Sequence, residues 1–317
     1  MAALSFSPIR PSVELVRFAS SLATGVRPSS FSACVSASSR RLDCHPVLPT
    51  IRPKREDGFC MVRATTEQAL SDQSGSMDQV EEDVCELVSR LELTLGEGQD
   101  AADAYLVKAM KNNNGAAILL LTDVFGFNNN DTRDFAYRLS CFGYNVLVPD
   151  LFQGMPWTKD RPKSDFENWR AKHPAERVAK AIKTAADWLT EEITAAGVTK
   201  KLGLLGFCFG GGRILEVLAK DSEQQYATAV SFYPTRLDET LATRISVPIL
   251  LISGDKDELC PSDKLRNIAG QIKGSEARIY PGRGHAFAHC PTSDDDEDAE
   301  DAFVVMKAWF HEKLVSH

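Results

Sequence analysis

From about residue 102 onward, short apolar runs alternate with stretches whose apolar residues recur every three or four positions. The run 116-AAILLLTDVFG-126 is apolar almost throughout, as expected of a strand buried on both faces. The runs 104–110, 144–152, 202–207, 226–234, 247–255 and 277–282 predict further strands, and 112-NNNG-115 predicts a turn. Between them, 131–143 predicts a helix that opens on a capping Asp131 and closes on Gly143. A longer helical stretch covers 164–195 with a break at Pro174, another helix opens at Gly210, and two more cover 261–273 and 297–314. Strands alternating with helices specify an α/β fold, a mostly parallel sheet with helices on both faces in a single domain over 101–317. Upstream, 65–100 is a polar, acidic lead-in; within it 78–93 predicts a short helix with Val80, Val84, Leu87 and Val88 on one face.

Composition changes the picture at the N-terminus. Met1 to Arg55 carries eight Arg and Lys against two acids, Glu14 and Asp43, and serine recurs throughout. Arg-rich, Ser-rich and acid-poor composition is that of an organelle transit peptide. The segment 60-CMVRATT-66 resembles a plastid processing site, which predicts a disordered transit peptide over 1–64 and a chloroplast stromal location. A mitochondrial address and a generic basic tail are the alternatives. Of the 36 basic and 44 acidic residues in the chain, 28 and 42 lie beyond Arg55, a balance of about −14. Such a body repels phosphate backbones and anionic lipid, so neither nucleic-acid nor membrane partners are expected. No apolar run reaches the roughly 18 residues needed to cross a bilayer. The acidic run 294-DDDEDAED-301 reads as a solvated helix N-terminus, where negative charge is favourable.

Cysteine usage points to free thiols. Cys34, Cys44 and Cys60 lie in the basic segment, and Cys85, Cys141, Cys208, Cys260 and Cys290 are widely spaced with no CxxC pair. This is neither a disulfide framework nor a zinc pattern, and no metal or other cofactor is expected. Cys208 stands apart, because Gly206-Phe207-Cys208-Phe209-Gly210 falls at a strand-to-helix junction. In the α/β-hydrolase arrangement a strained turn of this kind lifts the nucleophile above the sheet, and the flanking glycines make room for the crossing backbone. A thiol there also gains from the helix N-terminus, which favours the thiolate. Candidate partners follow in chain order: Asp255 and Asp257 in 253-SGDKDELCP-261, then His285 after a Gly-rich turn, with His289 four residues on.

Taken together, 123-DVFGFNNNDTRDFA-136, 148-VPDLFQGMPW-157, 205-LGFCFGGG-212, 257-DELCP-261 and 284-GHAFAH-289 resemble the dienelactone hydrolase (carboxymethylenebutenolidase) family of α/β-hydrolases over roughly 100–315. The resemblance implies esterase or lactonase chemistry with Cys208 as nucleophile, His285 as base and Asp257, four residues before Pro261, as the orienting acid; Asp255 is the fallback. It implies an oxyanion hole from the Val124 and Phe209 amides. It also implies a nucleophile-modulating acid at Asp123, where the family commonly has the longer glutamate; a turn or capping aspartate is the alternative. Bacterial members hold a substrate carboxylate with arginines, one of them four residues after the histidine. Here that position is His289, a poor clamp when neutral, which leaves it a pocket residue and the bacterial substrate in question. Phe125, Trp157, Tyr233 and Phe287 are candidate pocket walls, equally readable as packing.

The expectation is therefore a hydrolase of small-molecule esters or lactones that works as a monomer. A non-enzymatic small-molecule sensor on the same fold is the rival. Redox control through Cys260 and Cys290, close in sequence to Asp257 and His285, is a further possibility.

Overall fold

The computed structural model describes residues 87–98, 101–198 and 202–316. The transit-peptide reading of 1–64 and the first part of the 78–93 helix lie outside the described residues. Eight strands form one sheet in the order β1-β2-β4-β3-β5-β6-β7-β8. They are β1 Val88–Leu95, β2 Ala102–Ala109, β3 Ala117–Leu121, β4 Asn145–Pro149, β5 Leu202–Phe207, β6 Tyr226–Phe232, β7 Ile249–Gly254 and β8 Glu276–Tyr280. The last six run parallel, and β1 and β2 are added antiparallel at one end. The helices are α1 Asn130–Cys141, α2 Phe166–Ala171, α3 Ala175–Ala195, α4 Cys208–Ala219, α5 Ser262–Gln271 and α6 Asp296–Phe310.

Every residue of β3, β4, β5 and β7 is buried, which is why these strands are unbroken apolar runs in the sequence. The long α3 follows Pro174 and buries Val178, Ile182, Ala185, Ala186, Leu189 and Ile193, a stripe at helical spacing. Each large aliphatic side chain so covered stabilises the fold by about 1.5–3 kcal/mol.

Three expectations need correction. Residues 88–95 form a strand, so the sheet begins upstream of residue 101. Leu91, Leu93 and Leu95 turn inward while Glu92 and Thr94 stay exposed, and pairing of all eight residues with β2 settles that period of two over the helical one. Helix α1 is capped by Asn129, whose side chain accepts from the Asp131 N–H at 2.8 Å, leaving the Asp131 carboxylate for other contacts. Helix α4 begins at Cys208, two residues before Gly210, because the chain turns directly from strand to helix at a residue with φ of 48°.

The site follows from this topology. From β3 the chain crosses to β4 on one side and then returns to β5 on the other, so the connections leaving β3 and β5 diverge. A crevice opens at such a switch point, at the carboxyl ends of the strands. Leu121 of β3 pairs with Gly206 of β5. Two residues beyond that pair come Asp123 and Cys208.

Candidate active site

The backbone at Cys208 is strained for a reason that can be measured at its neighbours. A Cβ on Gly210 would lie 2.3 Å from the Leu121 carbonyl oxygen, and one on Gly206 would lie 2.7 Å from the Gly210 carbonyl carbon. Only glycine at both positions lets α4 cross so close to β3 and β5. The Gly210 N–H donates to the Thr122 carbonyl at 3.0 Å and the Thr235 N–H to that of Cys208 at 3.1 Å, which pins the elbow between two loops. Tyr233 and Ala286, with φ of 34° and 68°, add positive-φ residues beside it. Strained residues persist where the surroundings over-determine them, commonly at functional sites.

Two of the candidate residues meet directly. His285 Nδ1 lies 2.7 Å from Asp257 Oδ2. The carboxylate is fully buried and takes N–H groups of Leu259 and Cys260 on Oδ1, at 2.9 and 3.1 Å, and the Ser253 hydroxyl on Oδ2 at 3.3 Å. The other ring nitrogen, Nε2, is buried and meets no group at hydrogen-bonding geometry; the thiol close enough to act on the ring is that of Cys208. Burial opposes a charge on His285, but contacts with Asp257 and Cys208 and their negative charge outweigh it, raising the ring to about 9. Asp255 is exposed and accepts the Gly282 N–H at 2.7 Å, so it braces a turn away from the ring.

Asp123 is buried beside this pair and accepts the Phe125 N–H on Oδ1 at 2.8 Å. Burial pushes it up to about 6; the Phe125 amide opposes the rise, Asp131 adds to it, and Lys159 and His285 oppose it. The N–H groups of Val124 and Phe209, one from each diverging loop, donate to no backbone or side-chain acceptor among the described residues. Two free donors at this place can receive an oxyanion.

The proposed pocket wall divides. Phe125 is half-buried with the Lys159 ammonium 5.3 Å from its ring centre. Trp157 packs at 5.2 and 5.7 Å on Phe166 and Trp169, and Phe287 at 5.1 Å on Tyr280. Tyr233 has no exposed surface, sits edge-on to His285 at 5.1 Å and keeps a buried hydroxyl without a partner. His289 is buried, stacked on Phe207 at 4.2 Å, and burial lowers it to about 4 against the opposing Asp131 charge. It is therefore neutral, and its approach to Asp123 is not an ion pair.

Sequence reasoning missed Ser253, Thr132 and Asp131, which reach the site only through the fold. Asp131 Oδ2 accepts from the Cys290 thiol at 2.5 Å. Burial raises both Cys260 and Cys290 to about 12, so each stays a thiol at neutral pH, which makes either a slow partner for oxidation. Among the described residues, no group of three or more His, Cys, Asp or Glu is arranged to hold a metal ion, and no helix is long and apolar enough to cross a membrane.

Residues 102–314 match the model of the dienelactone hydrolase family. The chain belongs to that family. Membership makes it a hydrolase acting on esters or lactones. This dienelactone hydrolase family member is 27% identical over 208 residues to a carboxymethylenebutenolidase homolog of Xenopus tropicalis, covering 62% of this chain and 82% of the relative. The human carboxymethylenebutenolidase homolog is 27% identical over 181 residues, 55% of this chain and 71% of that one. The crystal structure of a dienelactone hydrolase from Anabaena variabilis superposes with a TM-score of 0.58 at 19% identity, covering 72% of this chain and 99% of that chain. That similarity shows a shared α/β-hydrolase fold.

Proposed function

We propose that the chain cleaves carboxylic ester or lactone bonds of small molecules through a Cys208–His285–Asp257 triad and a thioester acyl-enzyme. The observation that carries this reading is a histidine held 2.7 Å from a buried carboxylate and raised in part by the positive-φ cysteine of the β5–α4 elbow. Cys208 Sγ attacks the carbonyl carbon, and the oxygen takes up the negative charge against the Val124 and Phe209 N–H groups. When the carbon–oxygen bond breaks, the imidazolium of His285 hands its proton to the departing alkoxide, which in a lactone stays tethered to the acyl group. Water then adds to the thioester as His285 takes its proton, and collapse frees the acid and restores Sγ. Asp257 keeps the ring oriented and stabilises its charged form. Asp123, at the end of the neighbouring strand, modulates the charge of this pair.

In this reading residues 1–64 are a plastid transit peptide, and 101–317, extended by β1, are the catalytic domain, acting as a monomer. N-terminal sequencing of the protein recovered from plastids tests the first point and light scattering the last.

The chemistry is tested with a p-nitrophenyl ester and a panel of small lactones on the parent and Cys208→Ala. Turnover lost in the variant, with an acyl adduct on Cys208 in the quenched parent, is the expected result. Full activity in Cys208→Ala overturns the mechanism. A lactone that binds and is recovered intact favours the sensor alternative.

A further inference from the structure

The position four residues after His285 is occupied by a side chain that substrate cannot reach. The side chain of His289 has no exposed surface; its ring lies flat on Phe207, with 13° between planes, and meets Phe135 edge-on. Nε2 is 3.1 Å from the Thr132 hydroxyl on α1. Nδ1 is buried with no hydrogen-bond partner, and faces Asp123 Oδ2 at 3.7 Å. On the other side of that gap, Asp123 Oδ1 is already engaged by the Phe125 amide. Oδ2 accepts no hydrogen bond from a protein group among the described residues. A buried ring nitrogen without a partner thus confronts a carboxylate oxygen that keeps a little exposure and accepts from no protein group, less than an ångström beyond hydrogen-bonding distance.

We propose that His289 is a positioning residue for the reaction, donating from Nδ1 to Asp123 Oδ2 and so holding that carboxylate in place beside Cys208. This inference rests on the Cys208 mechanism for its catalytic meaning, though not for its geometry. The Thr132 hydroxyl can donate or accept, and in this proposal it donates. When its hydroxyl donates to Nε2, the single proton of the neutral ring must sit on Nδ1, aimed at Asp123. A hydrogen bond to the charged form of an acid favours that form. The other titratable groups that bear on Asp123 are Asp131 from α1, Lys159 from the segment after β4, His285 and Cys290 from the loop after β8, and Tyr233 after β6. Beside them His289 is the neutral group that faces Oδ2, at 3.7 Å. It tips the balance toward ionised Asp123 without adding a charge that would repel imidazolium at His285. A clamp for the substrate it cannot be, since the ring is sealed behind Phe207.

The test uses the full chain and p-nitrophenyl acetate, with kcat/KM measured from pH 4.5 to 9. Three variants are compared with the parent. His289→Phe keeps an aromatic ring to stack on Phe207 but has no donor, His289→Asn restores an N–H near the place of Nδ1, and Asp123→Asn removes the acid. Burial, the Phe125 amide, Asp131, Lys159 and His285 set Asp123 to about 6, and a donating His289 places the acid-side inflection of the parent somewhat below that. That inflection should move up by roughly half a unit to one unit in His289→Phe, a three- to tenfold gain in proton affinity. It should return in His289→Asn and vanish in Asp123→Asn. An unmoved inflection in folded His289→Phe overturns the proposal, as does its persistence in Asp123→Asn. If His289→Phe does not fold, the ¹⁵N ring shifts of histidine-labelled parent and Asp123→Asn decide. A neutral Nδ1–H ring whose shift follows that acid-side inflection, lost in Asp123→Asn, supports the assignment; an Nε2–H tautomer, or indifference to Asp123→Asn, overturns it. The spectroscopic arm needs no turnover, so a failure of Cys208-dependent hydrolysis would be recognised separately.

Discussion

Nδ1 of His285 is held 2.7 Å from Oδ2 of Asp257, and the carboxylate is itself fixed by two amides and a serine hydroxyl. The ring has one orientation available to it, with Nε2 turned inward beside the thiol. Replacing Asp257 by Asn keeps the shape but offers an amide N–H where the ring needs an acceptor, which favours the wrong tautomer. Asp257→Asn is expected to lower kcat/KM by roughly two to four powers of ten with the fold intact. Steady-state kinetics beside a circular dichroism spectrum checks this.

The same contact makes stability depend on pH. His285 has a folded-state value of about 9 against 6.5 for the free side chain. The raised value contributes stability that is fully present below pH 6.5 and is lost as pH rises through 9. Urea denaturation at intervals between pH 6 and 9.5 should show this decline. It should be shallower in Cys208→Ala, because the thiol is one of the groups that raise the ring.

Asp123 works in the opposite sense. Its folded value of about 6 lies above the ordinary 3.8, so the native state binds the proton more tightly than the unfolded chain. Ionising it costs stability, and that cost grows between pH 3.8 and 6 and is complete above. Asp123→Asn should therefore be more stable than the parent at pH 7.5, by about 1–3 kcal/mol, with the gain gone near pH 3.5. Melting curves at the two pH values are enough to decide.

Strain at the elbow should be recoverable. Cys208 adopts a φ of 48° that an L-residue occupies at a cost and glycine does not. Cys208→Gly is expected to remove turnover while raising stability by about 1 kcal/mol. A variant less stable than the parent in chemical denaturation would refute the strain argument.

Gly210→Ala probes the crossing. Its new methyl would meet the Leu121 carbonyl oxygen at 2.3 Å, a backbone atom that cannot step aside without moving β3. Destabilisation of roughly 1–3 kcal/mol is expected, with loss of activity as the elbow shifts. Gly282→Ala, on an open turn with no atom within 4 Å, tests the other glycine cost, that of its positive φ, and should leave activity unchanged.

Much of the fold is legible in the chain because a strand buried on both faces has to be apolar throughout. The runs that became β3, β5 and β7 announce themselves for that reason, and the strand-to-helix glycines around Cys208 announce a close crossing. Residues 88–95 misled because an edge strand needs only one covered face; Leu91, Leu93 and Leu95 are three positions, too few to separate a period of two from a helical stripe until β2 lies beside them. Asn129 rather than Asp131 caps α1 because either residue suits a cap, and the choice fell to the loop that delivers the chain from β3.

The site divides in the same way. Chain order and local motif pointed to Cys208, His285 and the pair Asp255 and Asp257, since each stands at the end of a strand beside glycine or a turn. Between the two acids the sequence could not choose on spacing alone, as they are two residues apart on one loop. Burial chose: Asp257 turns into the protein where Ser253 and two amides await it, and Asp255 turns out to brace Gly282. Thr132 and His289, 157 residues apart in the chain, share a hydrogen bond that no local pattern encodes. Local chemistry and periodicity are written residue by residue, whereas the environment that sets a charge or a tautomer is assembled from distant segments, and it exists only once the sheet has brought them together.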